Sequence, residues 1–281
     1  WLRNREMKEG VLKLGNRDWA IGERTGIFGV LNVTPDSFSD GGRFEGIDAA
    51  LEQARRMAEE GADVLDIGGE STKPGFEDVS VEDEIARVVP VIEGIVSDSS
   101  MPVVSIDTTK AAVARAALEA GAEIVNDIWG FQRDSEMAAV VSDYDASCVL
   151  MHNSRGGWCR DDVLDSIRSS WEESVSIALK AGLSEDRIIL DPGIGFTDTR
   201  DQDLEILRNL SALRAIGFPM LLGASRKRIT GEPFGLTLNE RLETTLATTS
   251  LGIGEGIDFV RVHDVIENVR VAKITDLITR G

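Results

Sequence analysis

Gly256-Ile257-Asp258-Phe259-Val260-Arg261-Val262-His263, near the C-terminus, is the stretch of this chain that decides the fold. A glycine and an acid precede a short β-branched and aromatic run, and a histidine follows it, which is typical of a helix end followed by a strand. Arg261 alternates with two valines and therefore faces away from them, because successive strand side chains point to opposite sides. Gly61-Ala62-Asp63 and Gly121-Ala122-Glu123 each precede another apolar run. The repeat predicts short loops of one kind between helix ends and strand starts.

Seven earlier apolar runs also end in polar side chains that can bind a ligand. In chain order they reach Asn32, Asp66, Asp107, Asn126 with Asp127, His152, Asp191, and Ser225-Arg226-Lys227. Helical patterns lie between nearly every pair of runs; one carries Leu204, Leu207, Leu210 and Leu213 and is expected to stop near Gly217. This alternation predicts an α/β fold, a single (β/α)8 barrel over residues 1–281. All C-terminal strand ends of such a barrel meet at one face, so these residues are expected to form one site.

The first 25 residues carry a different pattern. Val11-Leu12-Lys13-Leu14 and Trp19-Ala20-Ile21 flank Gly15-Asn16-Arg17-Asp18, which predicts a β-hairpin with a turn at residues 15–18. We expect this extension to close the bottom of the barrel, opposite the polar strand ends. No linker or low-complexity tract divides the sequence, so one domain is predicted.

The composition excludes several classes of partner. A formal charge of −19 argues against nucleic acid and anionic membranes, which proteins bind through basic surfaces. No run approaches the roughly 20 apolar residues of a membrane span. Cys148 and Cys159 have no metal-site spacing, and free thiols suit a reducing cytoplasm.

Two polar loops follow the first two predicted barrel strands, at residues 32–42 and 68–75. Long loops at the rim of a compact domain often close over a ligand. We therefore expect both loops to cover the site, and the alternative for either one is an ordinary surface turn.

A group of basic residues follows the last two predicted strands. It comprises Ser225-Arg226-Lys227-Arg228 and Arg261-Val262-His263. Loops in these two positions of a (β/α)8 barrel frequently bind phosphate, and arginine offers paired donors to phosphate oxygens. Such clustering in an acidic chain indicates a local site for an anionic ligand. For Arg228, a solvated surface cation is the alternative.

Acids and amides lie between the loops and the basic group. A carboxylate accepts two adjacent N–H donors, while an amide and a lysine satisfy ring nitrogen and carbonyl groups, so this set suits an aminopyrimidinone ring. The alternative for Asp107 and Asp127 is a structural role, in which they cap helices or accept backbone N–H groups. His152 is either a hydrogen-bonded structural histidine or a functional one.

Seven motifs closely resemble the pattern of the dihydropteroate synthase family, in the family's order, from about residue 11 to residue 278. They are Asn-Val-Thr-Pro-Asp-Ser-Phe-Ser-Asp-Gly-Gly (32–42), Gly-Gly-Glu-Ser-Thr-Lys-Pro-Gly (68–75), Ser-Ile-Asp-Thr (105–108), Asn-Asp-Ile-Trp-Gly (126–130), Asp-Pro-Gly-Ile-Gly-Phe (191–196), Ser-Arg-Lys (225–227) and Arg-Val-His-Asp-Val (261–265). The resemblance implies a transferase of folate biosynthesis. It would condense 6-hydroxymethyl-7,8-dihydropterin pyrophosphate with p-aminobenzoate, with Mg²⁺, to give dihydropteroate and pyrophosphate. It also suggests a homodimer formed through the later helices.

The resemblance assigns a role to each matching residue. Asn32 would meet the metal and pyrophosphate. The pterin would be held by Asp107, Asn126, Asp191 and Lys227, pyrophosphate by Arg261 and His263, and aminobenzoate would be bordered by Thr72, Pro74 and Phe196. Asp191, Lys227 and Lys73 are the expected catalytic residues.

The chemistry that these residues can support is a dissociative, SN1-like path. Pyrophosphate is a good leaving group once Mg²⁺, Arg261, His263 and Lys73 neutralise its charge. Asp191 would stabilise the positive ring that remains. The aromatic amine is a neutral nucleophile that needs no strong base, which agrees with the lack of a Ser/His/Asp or Cys/His arrangement.

Three positions depart from the family's usual pattern. Lys73 stands where arginine is common, Thr197-Asp198 replaces Gly-Lys, and Arg228 stands where a small serine is usual. All three concern the rim where aminobenzoate would enter, so they leave aminobenzoate affinity and sulfonamide sensitivity open. One hypothesis is that Arg228 attracts the aminobenzoate carboxylate.

Two other functions fit part of the pattern. A methyltetrahydrofolate-dependent methyltransferase would share the pterin residues, but would need neither the first loop nor the basic end of the eighth strand. A non-catalytic pterin-binding paralogue would keep the pterin residues and lose the aminobenzoate chemistry, and the three departures are its only support.

Overall fold

The structure is a computed structural model that describes residues 10–33, 42–70, 79–155 and 162–281. It begins with a hairpin of two antiparallel strands, β1 (Val11–Leu14) and β2 (Arg17–Ala20). The predicted turn was too long, because Arg17 and Asp18 already pair with Leu14 and Lys13 in the hairpin. Only residues 15 and 16 form the turn, and Gly15 adopts a φ of 64° there, which glycine allows without strain.

Eight parallel strands follow the hairpin. They are β3 (Gly26–Asn32), β4 (Val64–Gly68), β5 (Val103–Asp107), β6 (Ile124–Asp127), β7 (Ser147–Met151), β8 (Ile188–Asp191), β9 (Leu221–Leu222) and β10 (Phe259–Val262). Their order in the sheet is β8-β7-β6-β5-β4-β3-β10-β9. A parallel bridge between Leu190 and Met220 joins the two edges, so the sheet closes on itself. The predicted (β/α)8 barrel is confirmed.

Helices surround the barrel and bury their apolar sides against it. Those in the described ranges are α1 (Gly42–Glu60), α2 (Val81–Val96), α3 (Ala111–Glu119), α4 (Met137–Asp143), α5 (Val163–Lys180), α6 (Arg200–Arg208), α7 (Leu210–Arg214), α8 (Leu242–Gly254) and α9 (Val265–Thr279). Short 3-10 turns lie at Glu185–Arg187, Arg228–Thr230, Glu232–Phe234 and Leu238–Glu240. In the ranges that the structure covers, no helix has the length and apolar character needed to span a membrane.

One predicted helix is divided in two. The leucine pattern from Leu204 to Leu213 predicted a continuous helix, but Asn209 separates α6 from α7 with φ −126° and ψ 25°. Its side-chain amide donates to the Glu205 carbonyl at 2.8 Å. Asparagine competes with helical hydrogen bonds in this way, so the prediction of a single helix was wrong.

The glycine repeat behaves as predicted. Gly61, Gly121 and Gly256 follow α1, α3 and α8, and their φ angles are 102°, 108° and 93°. A left-handed residue at this position ends a helix and turns the chain, and glycine adopts that conformation without strain. The next strand then begins within a few residues.

The hairpin closes the bottom of the barrel. Leu12 and Leu14 pack with inward side chains near the strand starts, namely Phe28, Val64, Val103, Ile124, Val149, Ile189, Leu221 and Phe259. The Ser147 hydroxyl donates to the Lys13 carbonyl at 2.5 Å and accepts from the Gly15 amide at 3.1 Å. These contacts confirm the predicted position of the hairpin and give the barrel interior a sealed apolar floor.

The floor yields a stability prediction. Leu14 is 2 % exposed, so Leu14→Ala is expected to lower the free energy of unfolding by about 2–4 kcal/mol through lost burial and a cavity. Urea unfolding measures the change. Val11→Ala is the matched control on the same strand, since Val11 is 51 % exposed and should change the free energy by about 0.5 kcal/mol or less. Similar losses for both variants would contradict the closing role of the hairpin.

Candidate active site

Inside the barrel, the side chains above the apolar floor are polar. The floor residues Val64, Val103, Ile124, Ile189 and Phe259 are followed two positions later by Asp66, Ser105, Asn126, Asp191 and Arg261. Because strand side chains alternate with a period of two, both sets face the interior. The sequence prediction that Arg261 points away from its valine neighbours is confirmed by its contacts with interior acids.

Arg261 is the centre of a buried network that joins four strands. Its Nε donates to Asp66 Oδ2 at 2.5 Å and its Nη2 to Asp107 Oδ2 at 2.6 Å. Asp66 Oδ2 also accepts from Asn126 Nδ2 at 3.0 Å. Asp66, which sequence reasoning treated as a supporting group, therefore contacts both a residue expected to bind pterin and one expected to bind pyrophosphate.

The charges in this network are coupled. Burial raises the pKa of Asp107, while Arg261 opposes that rise and the nearby Asp66 adds to it. Burial also acts to lower the pKa of Arg261, but Asp66 and Asp107 outweigh it and hold that pKa above its ordinary value. Arg261 therefore remains a cation in the barrel interior, where it can meet an anionic group.

Lys227 lies near Asp191, since a Cβ on Gly223 would be 3.5 Å from Asp191 Oδ2 and 3.6 Å from Lys227 Nζ. Its Nζ donates to the Ile194 carbonyl at 2.6 Å and lies 4.8 Å from the centroid of the Phe196 ring. Burial lowers the pKa of Lys227 to about 8, and Asp191 opposes that shift. Burial raises the pKa of Asp191, and Lys227 opposes it. Each group thus favours the charged form of the other, against the effect of burial.

The loop after β8 depends on a glycine. A Cβ on Gly193 would lie 2.0 Å from the His152 carbonyl oxygen, and its φ is 79°. The Gly193 amide donates to Asp191 Oδ1 at 2.7 Å, so the turn also orients that carboxylate. The close approach explains why glycine follows Asp191-Pro192.

Arg228 is held by partners within the protein. Its Nε donates to Asp203 Oδ2 at 3.1 Å, and its Nη2 donates to both oxygens of Thr197, each at 3.0 Å. Asp203 Oδ1 accepts from Thr197 Oγ1 at 2.7 Å and from the Gly195 amide at 2.9 Å. Two of the three departures from the family pattern are therefore in direct contact. This geometry lends no support to the hypothesis that Arg228 reaches for a substrate.

Sequence reasoning missed Arg155, which follows the end of β7. Its guanidinium carbon lies 3.9 Å from the Phe196 ring centroid, and its Nη2 donates to the Gly195 carbonyl at 3.0 Å. Arg155 stands in none of the motifs and beyond the strand end, so no local pattern indicated it. The buried Asp203 was missed for the same reason, since it lies in α6 rather than at a strand end.

Asn32 and His263 lie on neighbouring strand ends beside Arg226. All three line a cavity of about 540 Å³ that extends from the ends of β3 and β10 between α1 and α9. His263 Nδ1 lies 3.0 Å from the Ser225 hydroxyl, and the His263 amide donates to that hydroxyl at 3.2 Å. Burial, with a smaller contribution from Arg261, lowers the pKa of His263 to about 4. His263 is thus neutral at pH 7 and can act as a polar contact, while Arg261 carries the charge.

Two other strand-end residues, Asp127 and His152, bear on alternatives that the sequence left open. Asp127 accepts from the backbone amides of Trp129 and Phe131 at 2.9 and 2.8 Å, which agrees with the structural alternative. His152 is buried, and within the described ranges neither ring nitrogen has a hydrogen-bond partner, so the hydrogen-bonded structural histidine is not observed there. Burial lowers the pKa of His152 to about 4. Thr72, Lys73, Pro74 and Cys159 lie outside the described residues.

A family model described as a pterin binding enzyme matches residues 28–263, which include every polar strand end named above. The chain belongs to this family. It is 51 % identical over 270 residues to the dihydropteroate synthase of Clostridium beijerinckii, covering 96 % of this chain and 100 % of that protein. Its activity is accordingly that of a dihydropteroate synthase, a transferase of the folate pathway. This sets aside the methyltransferase and the non-catalytic paralogue.

Solved structures agree with this assignment. A dihydropteroate synthase from Clostridium difficile, in the presence of pteroic acid, has a TM-score of 0.90 and 46 % identity, covering 94 % of this chain and 100 % of that one. A dihydropteroate synthase from Xanthomonas albilineans with 4-aminobenzoic acid has a TM-score of 0.89 and 37 % identity, covering 96 % and 98 %. The barrel described here therefore has the same fold as enzymes of this activity.

The pterin-binding barrel gathers most of the predicted residues in one region. Asp66 joins Asn126 to Arg261, and Arg261 contacts Asp107 directly. Asp191 lies in the electrostatic field of both Arg261 and Lys227. Phe196 borders Lys227, while Asn32 and His263 line the adjacent cavity. Arg228 contacts Asp203 behind Phe196 instead of the interior.

The Arg261 network predicts a positioning role for Asp66 in this enzyme. Asp66→Asn removes the charge that holds Arg261 Nε and disturbs Asn126, so kcat/KM for the pterin substrate is expected to fall about 10- to 100-fold. Steady-state pyrophosphate release measures it. Asp63→Asn is the control, because Asp63 precedes the same strand at the bottom of the barrel and pairs with Arg24. An unchanged kcat/KM in Asp66→Asn would contradict the role.

The lowered pKa of Lys227 predicts a limb in the pH profile. Lys227 is protonated below about pH 8 and neutral above it, so a role for its charge makes kcat/KM for the pterin substrate fall above about pH 8. A pH series of initial rates measures this limb. Lys227→Arg keeps the charge at all these pH values and is expected to remove the limb while lowering the rate. A limb that persists in Lys227→Arg would assign the titration to another group.

Proposed function

We propose that the polar end of the barrel interior condenses 6-hydroxymethyl-7,8-dihydropterin pyrophosphate with p-aminobenzoate to give 7,8-dihydropteroate and pyrophosphate. The observation that carries this proposal is the partly buried Arg261, which contacts Asp66 and Asp107 beside Asn126. A cation next to carboxylate and amide groups suits a substrate that carries a pyrophosphate on a heterocycle with several N–H donors.

The pterin ring would lie over Asp107, Asn126, Asp191 and Lys227. A buried carboxylate accepts paired N–H donors of an aminopyrimidinone, while a lysine and an amide satisfy its carbonyl and ring nitrogen. Asp107 accepts a hydrogen bond from Arg261 Nη2. The pterin must therefore share the Asp107 carboxylate with Arg261 or replace Arg261 there. Once released from Asp107, Arg261 Nη2 could donate to the pyrophosphate. Binding of the pterin ring would in this way favour binding of the pyrophosphate group.

The pyrophosphate would lie between Arg261, His263 and Asn32. His263 and Asn32 also line the adjacent cavity. Arg261 supplies the charge and His263, neutral at pH 7, supplies a hydrogen bond. The described residues contain no group of three or more His, Cys, Asp or Glu able to hold a metal. One amide oxygen from Asn32, with substrate phosphate oxygens and water, fits the ligand preference of Mg²⁺. When bound there, Mg²⁺ would neutralise charge on the pyrophosphate.

The reaction would follow a dissociative path. The bond between the pterin methylene carbon and the pyrophosphate oxygen breaks first, and its electron pair leaves with pyrophosphate. Asp191 then stabilises the positive ring, which its buried position near Lys227 makes effective. The amine nitrogen of p-aminobenzoate attacks the methylene carbon and loses one proton. The sealed floor of the barrel would help to exclude water. Lys73, in the second loop, would help to neutralise the charge of pyrophosphate.

The second substrate would enter beside Phe196, with Thr72 and Pro74 from the second loop on its other side. Phe196 is buried and flanked by Lys227 and Arg155. Arg228 would act here indirectly, by holding Thr197 and Asp203 behind the ring. Sulfonamides, as analogues of aminobenzoate, would compete at the same place.

We also propose a homodimer, formed through α8 and α9. Leu251, Ile274, Leu277 and Ile278 on these two helices are between 53 % and 75 % exposed, which leaves an apolar surface for a second copy. Light scattering of the full chain over a range of concentrations tests the association. The unpaired, buried Cys148 supports a reducing compartment such as the cytoplasm.

The proposed reaction predicts stoichiometric product formation. The full chain, mixed with the pterin pyrophosphate, Mg²⁺ and p-aminobenzoate, is expected to release one pyrophosphate for each dihydropteroate formed. Arg261→Met is expected to lower kcat/KM for the pterin substrate by about 100-fold or more, since a charged group on the leaving oxygens is lost. Chelation of Mg²⁺ by EDTA is expected to abolish release reversibly.

Two controls separate the parts of this proposal. Arg133→Met removes an exposed arginine that lies near Trp129. It should leave the rates of dihydropteroate formation and pyrophosphate release unchanged. A pterin pyrophosphate with ¹⁸O in the bridging position, incubated without p-aminobenzoate, should scramble the label if the bond breaks before attack. Absence of scrambling with normal turnover would overturn the dissociative path. Absence of pyrophosphate release would overturn the proposed reaction as a whole.

A further inference from the structure

The loop after β9 contains a strained residue between two residues that face the site. Arg226 has a φ of 56°, in the left-handed region that side chains with a Cβ rarely adopt. On one side of it, the Ser225 hydroxyl lies 3.0 Å from His263 Nδ1. On the other side, Lys227 Nζ donates to the Ile194 carbonyl at 2.6 Å. The backbone conformation of Arg226 therefore sets the directions of both neighbours.

The start of α8 holds both peptide groups of Arg226. Its amide donates to Thr245 Oγ1 at 3.2 Å, and its carbonyl accepts from Arg241 Nη1 at 3.0 Å. Thr245 lies in the first turn of α8 and Arg241 directly precedes that helix, so both contacts come from one helix end. The Arg226 side chain is fixed as well, because its Nε donates to Asp264 Oδ2 at 2.9 Å and its Nη2 to Asp264 Oδ1. A strained backbone persists when its surroundings fix it in this way.

The Arg241 guanidinium is also held in one place. Its Nε and Nη2 donate to the Leu236 carbonyl at 3.4 and 3.3 Å. A Cβ on Gly231 would lie 2.0 Å from Arg241 Nε, so glycine at position 231 leaves the space that the guanidinium occupies. A guanidinium has several donors in a fixed arrangement and can join two backbone carbonyls, which an aliphatic side chain cannot do. Arg241 thus links the Leu236 and Arg226 carbonyls.

We propose that Arg241 is a positioning residue for the transfer reaction, which acts by fixing the left-handed turn at Arg226 and so the directions of Ser225 and Lys227. This inference rests on the proposed function, in which Lys227 binds the pterin and His263 binds pyrophosphate. Arg241 acts through backbone carbonyls and stands in none of the seven motifs, so no sequence pattern indicated it.

The titration of Lys227 reports where its ammonium group lies. Burial is the largest cause of its lowered pKa of about 8, and the charged groups that act on it are Asp191, Arg261, Asp203 and Arg155. If the turn at Arg226 relaxes, the ammonium group moves toward water and the pKa of Lys227 rises toward its ordinary value. The fall of kcat/KM above about pH 8 would then move to higher pH.

Arg241→Met is expected to lower kcat/KM for the pterin substrate about 10- to 100-fold, because a displaced Lys227 no longer fits the pterin. The fall above about pH 8 should move to higher pH, and initial rates of pyrophosphate release over a pH series measure both effects. Arg241→Lys keeps one charged donor and is expected to recover part of the rate. Arg187→Met is the control, because Arg187 donates to the Gly15 carbonyl at the barrel bottom. It should leave kcat/KM within about twofold of wild type.

A double-mutant cycle tests whether Arg241 acts through the Arg226 backbone. Glycine adopts the left-handed conformation without strain, so Arg241→Met should lower kcat/KM only about threefold or less in an Arg226→Gly background. A loss as large as in the wild-type background would overturn the inference, and so would a folded Arg241→Met protein whose pH profile is unchanged. Melting temperatures are measured for every variant, and Arg241→Gln replaces Arg241→Met in the cycle if the latter does not fold. Wild-type protein that releases no pyrophosphate would instead refute the proposed reaction.

Discussion

The pairing of Arg261 with Asp66 and Asp107 is the interaction on which the rest of the site depends. It joins β10 to β4 and β5 inside a closed barrel, and Asn126 of β6 is attached through Asp66. Removing one charged member of such a group leaves its partner uncompensated, which is strongly destabilising. Asp107 and Asn126 of this network are also proposed to bind the pterin, and Arg261 the pyrophosphate. In the proposed reaction, one network would serve both charge compensation and substrate recognition.

The apolar floor makes this network effective. Leu12 and Leu14 from the hairpin seal the bottom of the barrel below the polar side chains. Electrostatic interactions above such a floor act in a medium of lower dielectric constant than water and are correspondingly stronger. Lys227 responds to this environment with a pKa near 8, and Asp191 is the compensating acid. An anionic ligand can thus be bound by a protein of charge −19, since the exposed acids are screened while the interior cations are not.

Two residues that depart from the family pattern contact one another at the rim of the site. Thr197 and Arg228 depart from the usual pattern at positions 31 residues apart, yet four hydrogen bonds join them to one another and to Asp203 around the Phe196 loop. Substituting one without the others would leave a buried carboxylate or hydroxyl without its partner. The contacts with Thr197 and Asp203 give Arg228 a structural role beside the Phe196 loop.

Sequence alone determined the barrel, the sealing hairpin, the glycine helix ends and the polar strand ends, because each of these follows from a local period or a local turn. It also indicated correctly that Arg261 faces the interior. Only the tertiary structure decided which polar groups meet: Arg261 with Asp66, 195 positions apart, Arg228 with Asp203, and Arg155 with Phe196. It also decided that Asn209 divides a helix whose leucine pattern is continuous. The physical reason is that barrel closure sets the distances between remote strand ends, and no local pattern along the chain carries that information.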